Sequence, residues 1–174
     1  MTRVTDFLFA LGEKWQSWAA LIALCIVLEA GALYYQIALM YYPCEQCIYT
    51  RVWIAGIALA AVAGLVLRRN AWALRAILVL QILMTLGLGK VVYKLLAIEY
   101  GFAEFGGCNL YAQFPSWAPL DAWFPTMFQV QDVCGDTPEV LFGLSMADGL
   151  AGVTIGLLAA FTLALVGSFR RPAD

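Results

Sequence analysis

Gly149–Phe169 reads GLAGVTIGLLAAFTLALVGSF and contains no charged side chain. A helix needs roughly 20 residues to cross a hydrocarbon core about 30 Å thick. This stretch meets that length and offers lipid nothing it would reject. Three other runs behave alike. Ser17–Met40 is interrupted only by Glu29 and Gln36. Ile48–Leu67 carries Arg51 near its start, and Ala71–Leu96 carries Arg75 near one end and Lys90 and Lys94 near the other. A backbone with unpaired N–H and C=O groups cannot cross lipid, so spans this few must be helices. The expected fold is an all-α membrane protein, a bundle of four transmembrane helices forming a single membrane domain over residues 1–174. Its connections are 41–47 and a long loop, 97–148.

Composition agrees. Of 174 residues, 63% are hydrophobic, and mean hydropathy is +0.82. Soluble domains run about 45–50% apolar, and a chain this small has too much surface for its volume to hide the surplus. The lipid bilayer takes it. A net charge of −2 gives no electrostatic case for nucleic acid. The chain has no histidine, which removes His-ligated haem, His-bearing zinc sites and Ser–His or Cys–His catalytic pairs.

Lys and Arg mark the cytoplasmic side. Arg3 and Lys14 precede the first span, Arg68, Arg69 and Arg75 flank the second turn, and Arg170 and Arg171 follow the fourth span. The 41–47 connection has neither Lys nor Arg. The 97–148 loop also has neither, although it holds seven acids. Both termini are expected in the cytoplasm and both loops outside it. Arg3, Lys14 and Ala30-Gly31-Ala32 have features of a cleaved signal peptide. Against cleavage, the apolar run continues to Met40 and Glu29 interrupts it.

Four of the five cysteines, Cys44, Cys47, Cys108 and Cys134, fall in the two outward loops, where disulfides persist. Cys44–Cys47 is the local pair, which leaves Cys108–Cys134. Cys44-Glu45-Gln46-Cys47 is a C-x-x-C at the start of a helix, where free N–H groups and the positive dipole end favour a thiolate. Arg51 lies four residues beyond Cys47 on the same helical face. A buried Arg at membrane depth is costly and usually functional; one at a helix end also snorkels to the headgroups. Half a zinc site is the rival reading of the C-x-x-C, but Cys108 and Cys134 form no second knuckle and no metal is expected.

If paired, Cys108 and Cys134 close a loop worth about 3.5 kcal/mol in the chain-entropy model. A structural staple is one reading of that pair. Gly106, Gly107 and Gly135 around it argue instead for backbone freedom. Trp117, Trp123, Phe124 and Phe128 suit a short interfacial segment, or a docking surface for a protein partner. Cys25 lies mid-span, where cysteine acts as a small hydrophobe.

The motifs Ala32-Leu33-Tyr34-Tyr35-Gln36, Pro43-Cys44-Glu45-Gln46-Cys47-Ile48-Tyr49-Thr50-Arg51, Phe114-Pro115-Ser116-Trp117-Ala118-Pro119-Leu120-Asp121-Ala122-Trp123-Phe124-Pro125 and the later Cys134 resemble the DsbB family of bacterial inner-membrane proteins. The likeness runs from about Trp15 to Phe169. It implies a quinone-dependent thiol:disulfide oxidoreductase that reoxidises a periplasmic DsbA-like oxidase of thioredoxin fold and passes the electrons to the membrane quinone pool, ubiquinone or menaquinone. It further implies that Cys108 is attacked by the partner, that Cys134 relays to Cys44, that Cys47 meets the quinone, and that Arg51 stabilises charge there. Gln36 is similar to a polar position beside that site. Some members carry a histidine in the third span; here Leu95 lies near the matching place, and Lys90 and Lys94 are candidates to supply the positive field. Glu29 is a candidate counter-ion for them or for Arg51.

A terminal acceptor is required on physical grounds. An ordinary disulfide cannot repeatedly reoxidise a strongly oxidising partner, since each 30 mV costs about 1.4 kcal/mol for two electrons. A lipid-soluble quinone would supply the missing oxidant. The alternative is a non-catalytic membrane subunit whose loops are only stapled by disulfides.

Overall fold

The structure is a computed structural model and describes residues 10, 12–102, 108–135, 137–141 and 143–169. Arg3, Gly106, Gly107, Arg170 and Arg171 lie outside the described residues. Four helices are long and apolar enough to cross a membrane: α1 (Trp15–Ala38), α2 (Glu45–Leu67), α3 (Ala71–Glu99) and α6 (Met146–Ser168). Between α3 and α6 stand two single-turn helices, α4 (Leu120–Trp123) and α5 (Pro125–Phe128), and two short strands, β1 (Glu139–Leu141) and β2 (Leu144–Ser145). The protein is a multi-pass helical membrane protein.

Hydropathy places the helices, but capping sets where they start. Cys44 caps α2 by accepting the Cys47 N–H on its sulfur at 3.3 Å. The helix therefore begins at Glu45, three residues ahead of the apolar run, and takes in most of the C-x-x-C. Asn70 caps α3, accepting from the Trp72 and Ala73 N–H groups at 3.0 and 3.2 Å. Ser145 and Asp148 form a reciprocal capping box that starts α6 at Met146. These first-turn N–H groups have no partner inside the helix, so a side-chain acceptor decides the boundary. At the end of α1, Met40 turns the chain with a left-handed φ of 58°.

Helix α1 packs on α2, α2 on α3, and α3 on α6, while α1 and α6 scarcely touch. Tryptophan rings lie in glycine notches. A Cβ on Gly64 would sit 2.5 Å from the Trp18 ring, and one on Gly87 would sit 2.5 Å from Trp53. Glycine at these two positions leaves room for the indole rings against the neighbouring helix. The fully buried Gln81 donates to the Ile57 carbonyl at 3.1 Å, pinning α3 to α2 with a polar contact. At the Arg68 end, Arg75 donates to the Ser168 carbonyl at 2.7 Å and stacks near Trp72 and Phe169.

The described residues of the long loop hold short regular elements that its sequence does not announce. The β1–β2 pair is antiparallel, with Glu139 opposite Ser145 and Leu141 opposite Leu144, and Gly143 in the turn takes φ 77°. Strands this short leave no periodicity to read. Trp117, Trp123 and Phe124 are exposed, as an interfacial or docking segment requires. Phe128 differs: it is buried edge-on to Phe114, which in turn meets Tyr49 of α2. It anchors the segment to the bundle instead of facing outward.

Candidate functional site

The long loop is fastened to the head of α2 residue by residue. The Pro43 carbonyl accepts the Gln131 N–H at 3.0 Å. Glu45, buried within the C-x-x-C, accepts the Asn109 backbone N–H at 2.6 Å and its side-chain amide at 3.1 Å. The Tyr49 hydroxyl accepts the Gln113 N–H at 2.8 Å. Arg51 donates to the Met127 carbonyl at 2.9 Å. Asn109 directly follows Cys108, and Gln131 lies three residues before Cys134. The motif that carries one cysteine pair thus holds the other.

Cys108 and Cys134 are joined in a disulfide, while Cys44 and Cys47 are free thiols. Cys44 is buried with Leu95 and Ala147, and Cys47, Cys108 and Cys134 pack against that cluster. All four loop cysteines therefore share one neighbourhood. The Cys44 thiol is pushed up from its ordinary value, first by its hydrogen bond with Cys47 and then by burial. In the reduced pair, Cys44 is the sulfur that keeps its proton.

Arg51 does not snorkel. It is buried, and besides Met127 it donates to Gln36 Oε1 at 2.8 Å and to the Ala32 carbonyl at 3.4 Å. Gln36 completes the clamp by donating to the Thr126 carbonyl at 2.9 Å. One guanidinium thus joins α1, α2 and the loop. Its fork of donors suits three fixed acceptors.

A cavity of about 350 Å³ opens beside Cys44 and Cys47, between α1 and α6, which scarcely touch. Thr50, Arg51, Glu29, Leu95 and Leu150 help to line it. Gln36 does not line it; its amide is spent on Arg51 and the loop. Lys90 and Lys94 are both exposed and also lie outside the lining, so they make no contact there. The face of α3 that reaches the cavity carries the apolar Leu95, and the two lysines sit on a different face. Sequence reasoning passed over Glu45, Tyr49 and Thr50. An acidic residue between two cysteines was the one visible signal, since an acid buried without a partner is costly.

A four-span helical membrane protein with two cysteine pairs gathered beside a cavity belongs to the class of membrane thiol–disulfide proteins. The chain is a member of the DsbB family: the family profile, Disulfide bond formation protein DsbB, matches residues 14–165. It is 38% identical over 160 residues to the Disulfide bond formation protein B of Vibrio parahaemolyticus, covering 88% of this chain and 86% of that protein. The protein of that name from Shewanella denitrificans is 32% identical over 157 residues, covering 90% and 89%. That from Photobacterium profundum is 31% identical over 173 residues, covering 94% and 93%. Membership carries with it a role in forming disulfide bonds.

Proposed function

We propose that the protein is a dithiol:quinone oxidoreductase of the bacterial inner membrane, which reoxidises a periplasmic DsbA-type oxidase and delivers the electrons to membrane quinone. The observation that carries this reading is the packing of both cysteine pairs around Cys44, beside a cavity. Both termini lie in the cytoplasm by the distribution of Lys and Arg, which puts the cysteine-bearing end in the periplasm.

The partner's thiolate attacks Cys108, forming a mixed disulfide and freeing Cys134. Cys134 attacks Cys44 of the oxidised inner pair and releases Cys47 as a thiolate. The partner's second thiol resolves the mixed disulfide, and Cys108 then attacks Cys134, so that the loop disulfide is restored and the inner pair is left as a dithiol. Each step exchanges one S–S bond for another, so the loop pair gains no net electrons. Loop bonds to Pro43, Glu45 and Arg51 hold the exchanging sulfurs close, which lowers the entropic cost of each attack.

The residues around the cavity fit a quinone. Its volume falls within the roughly 300–1,000 Å³ of small-ligand pockets, its walls are mostly apolar, and the buried Thr50 hydroxyl has no partner among the described residues. A quinone bound there supplies a two-electron acceptor. Cys47 stands at its edge at the positive end of α2, and Arg51 adds fixed positive charge. Gln36 acts through Arg51 as a positioning residue.

The test uses purified protein, a reduced thioredoxin-fold partner and a short-chain soluble quinone. Wild-type protein reduces the quinone and Cys47→Ser does not. Reduction surviving in Cys47→Ser would refute the mechanism.

A further inference from the structure

Glu29 is a carboxylic acid inside a membrane span that makes no hydrogen bond among the described residues. It stands on α1 one turn from Ala32, on the stripe that also holds Gln36, so it lies on the face that meets Arg51. It lines the cavity together with Cys44, Cys47, Thr50 and Arg51. Both of its carboxyl oxygens are buried, and neither has a hydrogen-bond partner among the described residues. The bonds Arg51 makes run to Gln36, Ala32 and Met127, so the guanidinium is not fastened to this acid. The Thr50 hydroxyl, buried in the same wall, is likewise unpartnered.

An acid at this depth is expensive to keep. A structural acid offsets that expense by tying two elements together, as Glu45 does with Asn109. Glu29 ties nothing. Glu29 and the unpartnered Thr50 instead line one cavity with the Cys44–Cys47 pair. Closing the Cys44 thiol on the Cys47 thiolate sheds two electrons and one proton, and a quinone takes up two electrons and two protons to become a hydroquinone. The electrons pass from sulfur, but the protons need a carrier at the cavity wall.

Resting on the function proposed above, we infer that Glu29 is the proton-transfer residue of the cavity. Its carboxyl gives a proton to a quinone oxygen while the Cys44–Cys47 bond forms. The carboxylate left behind faces the positive field of Arg51 and takes up the proton that Cys44 gives up. Cys47 reacts as the thiolate, so the second proton enters from solvent and goes to the other oxygen. The sum is one thiol, one thiolate, one solvent proton and quinone to disulfide plus hydroquinone, and Glu29 ends as it began. Thr50 orients the oxygen that receives the proton.

The test compares full-length wild type, Glu29→Gln and Glu29→Asp in lipid nanodiscs with a short-chain benzoquinone as probe. Glu29→Gln is expected to bind the probe within about threefold of wild type while reducing it about 100-fold more slowly, the lower range for loss of a general acid. Glu29→Asp recovers part of the rate. A second readout needs no quinone: the infrared spectrum of the protein alone shows a protonated-carboxyl band that Glu29→Gln lacks. Wild-type reduction rates in Glu29→Gln overturn the inference. So does weakened binding with an unchanged rate in the bound complex, which makes Glu29 a binding residue only. Should Glu29→Gln fail to insert, Glu29→Asp at the wild-type rate with an unshifted carboxyl band overturns it equally. Cys47→Ser separates the two proposals: if that variant still reduces quinone the proposed function fails, whereas a dead Cys47→Ser beside a fully active Glu29→Gln sinks only the role of Glu29.

Discussion

Replacing Glu45 by alanine should detach the Cys108 segment from the head of α2. Glu45 is 3% exposed and accepts two hydrogen bonds from Asn109, at 2.6 and 3.1 Å. A hydrogen bond to a charged group contributes about 1.5–3 kcal/mol. The two bonds share both residues, so they do not simply add, and Asn109 is exposed, so its freed donors find water. The combined loss is then about 2–4 kcal/mol, or roughly 30- to 1,000-fold in the local opening equilibrium. Hydrogen exchange of the Asn109 amide in the intact, micelle-bound protein reads that ratio directly. Glu45→Ala should accelerate it by this factor, with Glu45→Gln in between because one acceptor survives. Amides deep in α3 should not change. Exchange of Asn109 at the wild-type rate would show that the clamp contributes nothing and that the loop is held by its other ties. A functional consequence follows: in acid-quenched time courses with a reduced partner, Cys108–Cys134 should open at the normal rate while electrons reach Cys44–Cys47 more slowly.

Arg51→Ala strands the Gln36 and Met127 acceptors it serves; amides of 124–129 should exchange at least tenfold faster and quinone reduction should weaken, while the four spans still insert. Unchanged quinone kinetics would reduce Arg51 to a loop anchor. Gly64→Leu drives a side chain into the Trp18 ring, where even a Cβ lies 2.5 Å away; overpacking of this kind costs about 1–3 kcal/mol and should lower the thermal unfolding midpoint. The Cys44 thiol is raised in the folded protein, by its hydrogen bond with Cys47 and then by burial, from an ordinary value of 9.0. Its neutral form therefore stabilises the fold fully below about pH 9, and that contribution is lost as pH rises beyond it. Thermal scans of the reduced protein should show a loss above pH 9 that oxidising Cys44–Cys47 removes.

The four spans were legible because hydropathy is a sum over some twenty side chains and tolerates local error. Their ends were not, because a cap is one side chain meeting one N–H group. Glu45–Cys47 reads as loop by hydropathy and is helix because the Cys44 sulfur accepts a bond from Cys47. The β1–β2 hairpin offered no periodic signal at all. At the site, the C-x-x-C and Arg51 stood out by type and spacing. Lys90 and Lys94 had a suggestive i,i+4 spacing, but spacing says only that they share a face, and that face is exposed. Gln36 was legible as a polar residue near the helix end, yet its partners lie 15 and 90 positions away in the chain.

By itself the sequence determined that this chain is a four-helix membrane protein and where its basic residues and cysteines fall between the spans. Those properties are local or additive, carried by composition, run length and motif. The tertiary structure alone decided that the head of α2 holds the long loop, that both cysteine pairs share one cluster, and that Glu29 and Thr50 line one cavity with Cys47. Such facts depend on contacts between residues far apart in the chain. A buried polar group must find its partner in space, and no spacing along the sequence says where that partner will be.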